Sequence, residues 1–113
     1  PHKHKLVVVG NHENNAPWHE QTADMLPHAT FLRHSCFELE GGGPSFFGTD
    51  FFWPIKRGTT NPYFDQIPED TDVIIAHGPA LGFLDAGSGC EALFKTAMRV
   101  RPALVVCGHV HAA

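Results

Sequence analysis

The sequence predicts an α/β fold in which buried strands are flanked by helices and accompanied by a small hairpin region. Three apolar runs support this prediction, at residues 6–9, 73–76 and 103–107. Each run is continuously apolar rather than alternating, which is typical of strands covered on both faces of a parallel sheet. The last two runs are joined by a segment with helical periodicity. They therefore predict a βαβ unit with a right-handed crossover.

The overall composition predicts one globular domain over residues 1–113. Hydrophobic residues make up 42% of the chain, which disfavours disorder. The formal net charge of −4 shows no broad basic surface, so no nucleic-acid polymer is expected as a partner. No apolar run approaches the roughly 20 residues that a membrane helix needs. Because the chain begins at Pro1, we expect a processed start or a piece of a longer protein. The first residues lack the long apolar segment of a signal peptide, so we expect a cytoplasmic location.

The first half of the chain predicts one helix and a series of short strands. A Gly-Gly-Gly-Pro run at residues 41–44 is a turn signal between two of these strands and predicts a hairpin at the edge of the sheet. The elements predicted after the first buried strand are a helix at 20–26, then strands at 29–33, 36–40 and 45–52.

The second half begins with aromatic residues and a long proline-containing segment. We interpret the aromatic side chains as core, with the alternative that Phe52 or Trp53 lines the rim of a pocket. Residues 54–72 are predicted to form a long loop that covers or borders the functional site. The aromatic group consists of Phe46, Phe47, Phe51, Phe52 and Trp53.

A helix is predicted between the second and third buried strands. Ser88 and Glu91 have the spacing of a capping box, so the helix should begin near Gly89 or Cys90. Apolar residues then recur at near-helical intervals until Pro102 ends the helix.

Each buried strand is followed by side chains that can bind metals. Asn11 and His12 follow the first strand, His77 follows the second, and His109 and His111 follow the third. In open α/β sheets, ligands bind outside the carboxyl ends of the strands. The four histidines and the asparagine therefore predict one shared site. Imidazole nitrogens and an amide oxygen suit borderline divalent ions such as zinc, manganese or iron.

These neutral ligands alone would leave the positive charge of two metal ions poorly compensated. A bridging carboxylate is expected in a two-metal site, yet no Asp-x-His or Gly-Asp follows a strand. Asp50 and Asp85 are the weak candidates within the chain. A structural zinc site is disfavoured because the three cysteines are not spaced for one.

Three motifs in order make the resemblance to a known family specific. Gly10-Asn-His-Glu13, His77-Gly78 and Gly108-His-Val-His111 resemble the later motifs of the calcineurin-like metallophosphoesterases. Within that superfamily, residues 5–13 and 77–85 are similar to the branch called metallophosphoesterase-domain-containing proteins. The resemblance spans essentially the whole chain. It implies part of a two-sheet metallophosphoesterase sandwich with helices outside.

The resemblance also implies a role for each candidate residue. Asn11, His77 and His109 would bind one divalent metal ion, and His111 would bind a second. His12 would stabilise the transition state or protonate the leaving oxygen. The reaction would be attack of a metal-activated hydroxide on a small phosphoester or nucleotide, either a phosphomonoester or a phosphodiester.

The chain departs from the family pattern in ways that leave an alternative open. The Asp-x-His and Gly-Asp motifs that precede Gly-Asn-His in the family are missing. Ala80 stands where the branch usually has proline, and Ala112 where it usually has glutamate. We therefore expect a C-terminal portion of the domain that supplies about half of the site. The alternative is a non-catalytic, truncated metal-binding or interaction protein.

Overall fold

The described part of the chain forms two β-sheets flanked by short helices, which confirms the predicted α/β class. A computed structural model describes residues 2–50 and 56–112. The strands are β1 (Leu6–Val7), β2 (Thr30–Phe31), β3 (Ser35–Glu38), β4 (Ser45–Thr49), β5 (Val73–Ala76) and β6 (Leu104–Val106). The helices are α1 (Asn11–Asn14), a 3₁₀ helix (His19–Gln21), α2 (Thr22–Met25), α3 (Pro62–Asp65) and α4 (Glu91–Val100).

The two sheets separate the first buried strand from the other two. β1 and β2 pair in parallel as a two-stranded sheet, while β3, β4, β5 and β6 lie side by side in a second sheet. In that second sheet, β3 and β4 form the predicted antiparallel hairpin, and β4, β5 and β6 run parallel. The carboxyl ends of β4, β5 and β6 therefore meet at one edge of the sheet.

The predicted βαβ unit is present as β5, α4 and β6. Helix α4 packs against the sheet through buried side chains that include Leu93 and Val100. The predicted capping box of Ser88 with Glu91 is wrong. The N-cap is Cys90, whose Sγ accepts a hydrogen bond from the Leu93 N–H at 3.5 Å. The Glu91 carboxylate instead accepts from the Gly58 N–H at 2.8 Å.

The predicted loop at 54–72 is partly helical, which corrects the sequence interpretation. Helix α3 begins after Asn61, whose Oδ1 accepts from the Tyr63 N–H at 2.9 Å. Arg99 of α4 then donates to the carbonyls of Phe64 and Ile67, both at 3.1 Å, and holds this segment against α4. One helical turn is too short to leave a periodic pattern in the sequence.

Burial also differs from the prediction at β6. Leu104 and Val106 are exposed and only Val105 faces α4, since β6 lies at the edge of the four-stranded sheet in the described chain. Of the aromatic group, Phe47 belongs to the core. Phe51, Phe52 and Trp53 lie outside the described residues, as does the end of the predicted strand at 45–52. No helix in the described ranges is long and apolar enough to cross a membrane.

Asp85 organises the loop that joins β5 to α4. Its buried carboxylate accepts hydrogen bonds from the backbone N–H groups of Gly82 at 2.8 Å, Gly87 at 3.1 Å and Gly89 at 2.9 Å. These bonds lower the pKa of Asp85 below its ordinary value. The carboxylate therefore shapes its own loop, which explains this acidic residue without a role as a bridging metal ligand.

Replacing Asp85 with asparagine should destabilise the chain in a pH-dependent way. The amide nitrogen of asparagine cannot accept the hydrogen bonds that one carboxylate oxygen accepts. Because the folded-state pKa is lowered, the carboxylate adds stability above the unfolded pKa of about 3.9 and loses it as pH falls through the folded pKa. We expect a melting temperature several degrees lower at pH 7, with a smaller difference at pH 3. Asp24→Asn, an exposed control, should change neither value.

Candidate metal centre

The first part of the site is built by the chain leaving β1. Gly10 is the N-cap of α1 and its N–H donates to the Glu13 carboxylate at 2.9 Å. Asn11 is the first residue of this helix, so the turn presents its side chain just beyond the strand end. The Gly-Asn-His-Glu run thus encodes a helix start, with Glu13 as the acceptor that fixes the turn.

The second part is built by the exits of β5 and β6. His77 follows the last residue of β5, and His109 follows β6 by three positions. The Gly108 N–H donates to the His77 carbonyl at 2.8 Å and continues the pairing of the two strands. His109 then takes a left-handed backbone conformation with φ 69°, and the two imidazole rings meet edge to face with centroids 4.9 Å apart.

Three of the predicted site residues converge. His77 Nε2 lies 2.9 Å from Asn11 Oδ1 and 3.1 Å from His109 Nδ1. His109 Nδ1 and Asn11 Oδ1 are 3.3 Å apart. Residues that are 98 positions apart in the chain thus bring an amide oxygen and two imidazole nitrogens to one point.

The environment keeps His77 in its neutral form. Burial lowers the pKa of its imidazole, and the neighbouring His109 lowers it further. His12 and His111 act in the same direction, whereas the Glu13 carboxylate opposes them. A lowered pKa leaves a ring-nitrogen lone pair available at neutral pH, which metal binding requires.

His12 and His111 are not part of the three-atom contact. Both side chains are exposed, and in residues 2–50 and 56–112 no hydrogen bond joins either of them to Asn11, His77 or His109. Over the same residues, no group of three or more His, Cys, Asp or Glu side chains is placed to hold a metal ion. The converging set reaches three members only when the asparagine amide is counted.

The same sheet edge carries groups that the sequence analysis did not single out. His34 Nδ1 lies 3.0 Å from the Thr49 hydroxyl, and the His34 ring stacks on Tyr63 with centroids 3.8 Å apart. Thr49 and His77 line a narrow gap of about 10 Å³ together with Asp50, which the sequence analysis named as a carboxylate candidate. His34 directly follows the predicted strand at 29–33, which is not a continuous apolar run, so the sequence pattern did not select it. The pairing of β3 with β4 places it at this edge.

Gly10 is needed because the backbone passes directly over the His77 ring. A Cβ at position 10 would lie 2.6 Å from His77 Cε1 and 2.8 Å from Nδ1. Since the backbone of Gly10 is extended, alanine there would meet no backbone strain and would act by displacing the ring and by crowding the Glu13 carboxylate, whose Oε2 would lie 3.0 Å from the Cβ. We expect Gly10→Ala to lower the affinity for Mn²⁺ or Zn²⁺ about tenfold and to cost about 1–3 kcal/mol of stability.

Gly108 provides the matched control for this prediction. A Cβ there would lie 3.7 Å from the His77 carbonyl oxygen, which is ordinary van der Waals contact. Calorimetric titration should therefore find Gly108→Ala within about twofold of the unsubstituted chain. Equal affinities for Gly10→Ala and Gly108→Ala would show that the position of the His77 ring does not control metal binding.

The family to which this α/β fold belongs is identified by comparison with known proteins. The sequence profile of the calcineurin-like phosphoesterase family matches residues 1–113. The chain belongs to this family, as the three sequence motifs predict. The family is one of metal-dependent hydrolases that generally use two divalent metal ions.

Individual relatives support the same branch. The chain is 34% identical to a UPF0046 protein of Caenorhabditis elegans over an alignment of 137 residues, which covers 98% of this chain and 47% of that protein. It is 28% identical to metallophosphoesterase domain-containing protein 1 of Homo sapiens over an alignment of 149 residues, which covers 98% of this chain and 45% of that protein. The chain thus spans about half the length of these relatives.

A third relative carries a different name. The chain is 30% identical over 133 residues to a probable rhamnogalacturonate lyase C of Emericella nidulans, but these residues are 12% of that protein. Because the match covers such a small part of the lyase, it carries no argument about lyase chemistry in this chain.

Proposed function

We propose that this chain supplies part of the active site of a dinuclear metal-dependent phosphoesterase. Asn11, His77 and His109 would hold one divalent ion, and His111 would contribute to the second. His12 would act directly on the phosphoester. The substrate would be a small phosphomonoester, phosphodiester or nucleotide, and the ions would be manganese, iron or zinc. The remaining ligands, including a bridging carboxylate, would come from outside these residues.

The convergence of Asn11 Oδ1, His77 Nε2 and His109 Nδ1 carries this proposal. Two ligand atoms bound to one ion at about 2.1 Å are about 3.0 Å apart in octahedral geometry and about 3.4 Å apart in tetrahedral geometry. The observed separations are 2.9, 3.1 and 3.3 Å. These separations are therefore compatible with a shared borderline divalent cation. The same separations suit hydrogen bonds, so the decisive measurement is of the metal itself.

The residues of the chain would divide the chemistry between binding and proton transfer. Bound divalent ions supply Lewis-acid polarisation of the phosphoester and activation of water. Asn11, His77 and His109 would fix the position of one ion, and Gly10 would keep the space above His77 clear. The exposed His12 imidazole, next to Asn11 on α1, would donate a hydrogen bond to the developing negative charge or a proton to the leaving oxygen.

A non-catalytic metal-binding or interaction protein is the second candidate function. It is favoured by the given sequence, which contains neither an Asp-x-His nor a Gly-Asp motif to supply a bridging carboxylate. Such a protein would bind one ion through Asn11, His77 and His109 without hydrolysing a phosphoester. The two candidates differ in turnover rather than in metal binding.

The proposal is tested by measuring hydrolysis with the longest protein encoded by the reading frame that contains residues 1–113. That frame should encode Asp-x-His and Gly-Asp after apolar runs, and its product should hydrolyse bis(p-nitrophenyl) phosphate in the presence of Mn²⁺. His12→Ala should lower kcat at least about 100-fold with little change in bound metal. His28→Ala, an exposed histidine outside the site, should have no effect. Hydrolysis that is unchanged in His12→Ala would remove the catalytic role of His12, and a complete frame without either motif would favour the second candidate.

A further inference from the structure

Glu13 places a half-buried carboxylate beside the converging residues without belonging to the three-atom contact. Its Oε2 accepts a hydrogen bond from the Gly10 N–H at 2.9 Å and closes the turn that leads from β1 to Asn11. Glutamine can make the same bond as glutamate at this position of a helix start. The hydrogen bond alone therefore does not account for a charged group here.

The carboxylate lies toward the second nitrogen of the His77 ring. His77 Nε2 is directed at Asn11 Oδ1 and His109 Nδ1, at 2.9 and 3.1 Å. The other ring nitrogen, Nδ1, lies 2.8 Å from the point where a Cβ on Gly10 would stand, and Glu13 Oε2 lies 3.0 Å from the same point. The ring thus has the ligand atoms at one nitrogen and the carboxylate near the other.

The charge of Glu13 acts on this ring. Burial and the neighbouring His109 lower the pKa of the His77 imidazole, whereas the Glu13 carboxylate raises it, because a negative charge stabilises positive charge nearby. A divalent cation at Nε2 would bring positive charge to the same ring. Since the amide and the two imidazoles are neutral ligands, a carboxylate at this position would offset charge that they leave uncompensated.

We propose that Glu13 is a positioning residue of the metal centre, and that its negative charge beside His77 strengthens cation binding by Asn11, His77 and His109. Its two contributions are separable. The hydrogen bond to Gly10 fixes the turn that presents Asn11, and the charge favours the cation. Carboxylates that support metal-bound histidines without contacting the ion act in this way. The inference rests on the metal centre of the proposed function and assigns it a residue that is not a ligand.

Two substitutions at Glu13 separate the charge from the hydrogen bond. Glu13→Gln keeps an oxygen that can accept from the Gly10 N–H and removes the charge, so Zn²⁺ affinity should fall about tenfold with little change in the melting temperature of the metal-free protein. Glu13→Asp keeps the charge and shortens the reach to Gly10. It should lower the melting temperature and bind Zn²⁺ more tightly than Glu13→Gln. Calorimetric titration and thermal unfolding of the longest protein encoded by the reading frame measure both quantities.

Glu69→Gln is the matched control for the loss of a carboxylate. Glu69 is exposed and precedes β5, so it lies at the end of that strand opposite His77. Its substitution should leave Zn²⁺ affinity within about twofold of the unsubstituted protein. Weaker binding by Glu13→Asp than by Glu13→Gln would show that the hydrogen bond matters and the charge does not.

His77→Ala, measured in the same protein, distinguishes failure of this inference from failure of the metal centre. If His77→Ala loses Zn²⁺ and Glu13→Gln binds it with unchanged affinity, the role of Glu13 is overturned and the metal centre stands. If both variants keep the affinity of the unsubstituted protein, the metal centre is overturned, and the role of Glu13 with it.

Discussion

Replacing His77 with alanine should lower the affinity of the chain for Mn²⁺ or Zn²⁺ by at least about 100-fold. His77 Nε2 is the atom that contacts both of the other converging groups, Asn11 Oδ1 at 2.9 Å and His109 Nδ1 at 3.1 Å. Removing an outer-shell partner of a metal ligand typically costs 10–100-fold in affinity, and removing a ligand itself costs at least as much. Metal content after dialysis, measured by mass spectrometry, and calorimetric titration both report this loss.

His28→Ala is the matched control for the loss of an imidazole. His28 is exposed in the turn before β2 and contributes no atom to the converging set. Circular dichroism should show that both variants keep their fold, because His77 is only half-buried and its side chain is not part of the core. If His77→Ala retained as much metal as His28→Ala, the three-atom convergence would be a hydrogen-bonded cluster and not a metal centre.

The convergence of the site residues could be predicted because it depends on topology. Parallel strands place their carboxyl ends at one edge, so His77 after β5 and His109 after β6 had to be neighbours. Asn11 follows β1, which lies in the other sheet, and its approach to His77 follows from the sandwich that the family resemblance implied. The ligand and catalytic roles of all these residues stay predictions, and His12 and His111 are exposed side chains that do not take part in the three-atom contact.

The parts of the fold that could not be predicted are those decided by contacts between distant segments. Helix α3 has one turn, and Arg99 from α4 holds it through backbone carbonyls, a contact with no sequence signature. The cap of α4 is a cysteine sulfur where the local pattern favoured Ser88, because the loop around Asp85 sets where the chain can enter the helix. The exposure of Leu104 depends on which strand lies at the edge of the sheet.

Gly48 is the position where the second large effect is expected, and the reason is the contact between the two sheets. Gly48 lies in β4 and is buried, and Leu32 follows β2 and bonds to β1 through its N–H and the Val7 carbonyl at 2.8 Å. A Cβ on Gly48 would lie 2.1 Å from Leu32 Cβ and 2.8 Å from Cδ1. The small residue therefore allows one sheet to approach the other. An alanine there cannot be accommodated by rotating the leucine side chain, since the nearest atom is its Cβ.

Gly48→Ala should cost about 3 kcal/mol of folding free energy, at the upper end of what overpacking in a core usually costs. For a chain of this size, that loss corresponds to a fall in melting temperature of roughly 12 °C. Thermal unfolding followed by circular dichroism measures it, and Gly108→Ala, whose Cβ would be in ordinary contact 3.7 Å from the nearest atom, serves as the control. If Gly48→Ala had the same melting temperature as Gly108→Ala, the two sheets would not be packed through Leu32. The route that brings Asn11 to His77 would then need another explanation, because Asn11 follows β1, whose sheet reaches the second sheet through this contact.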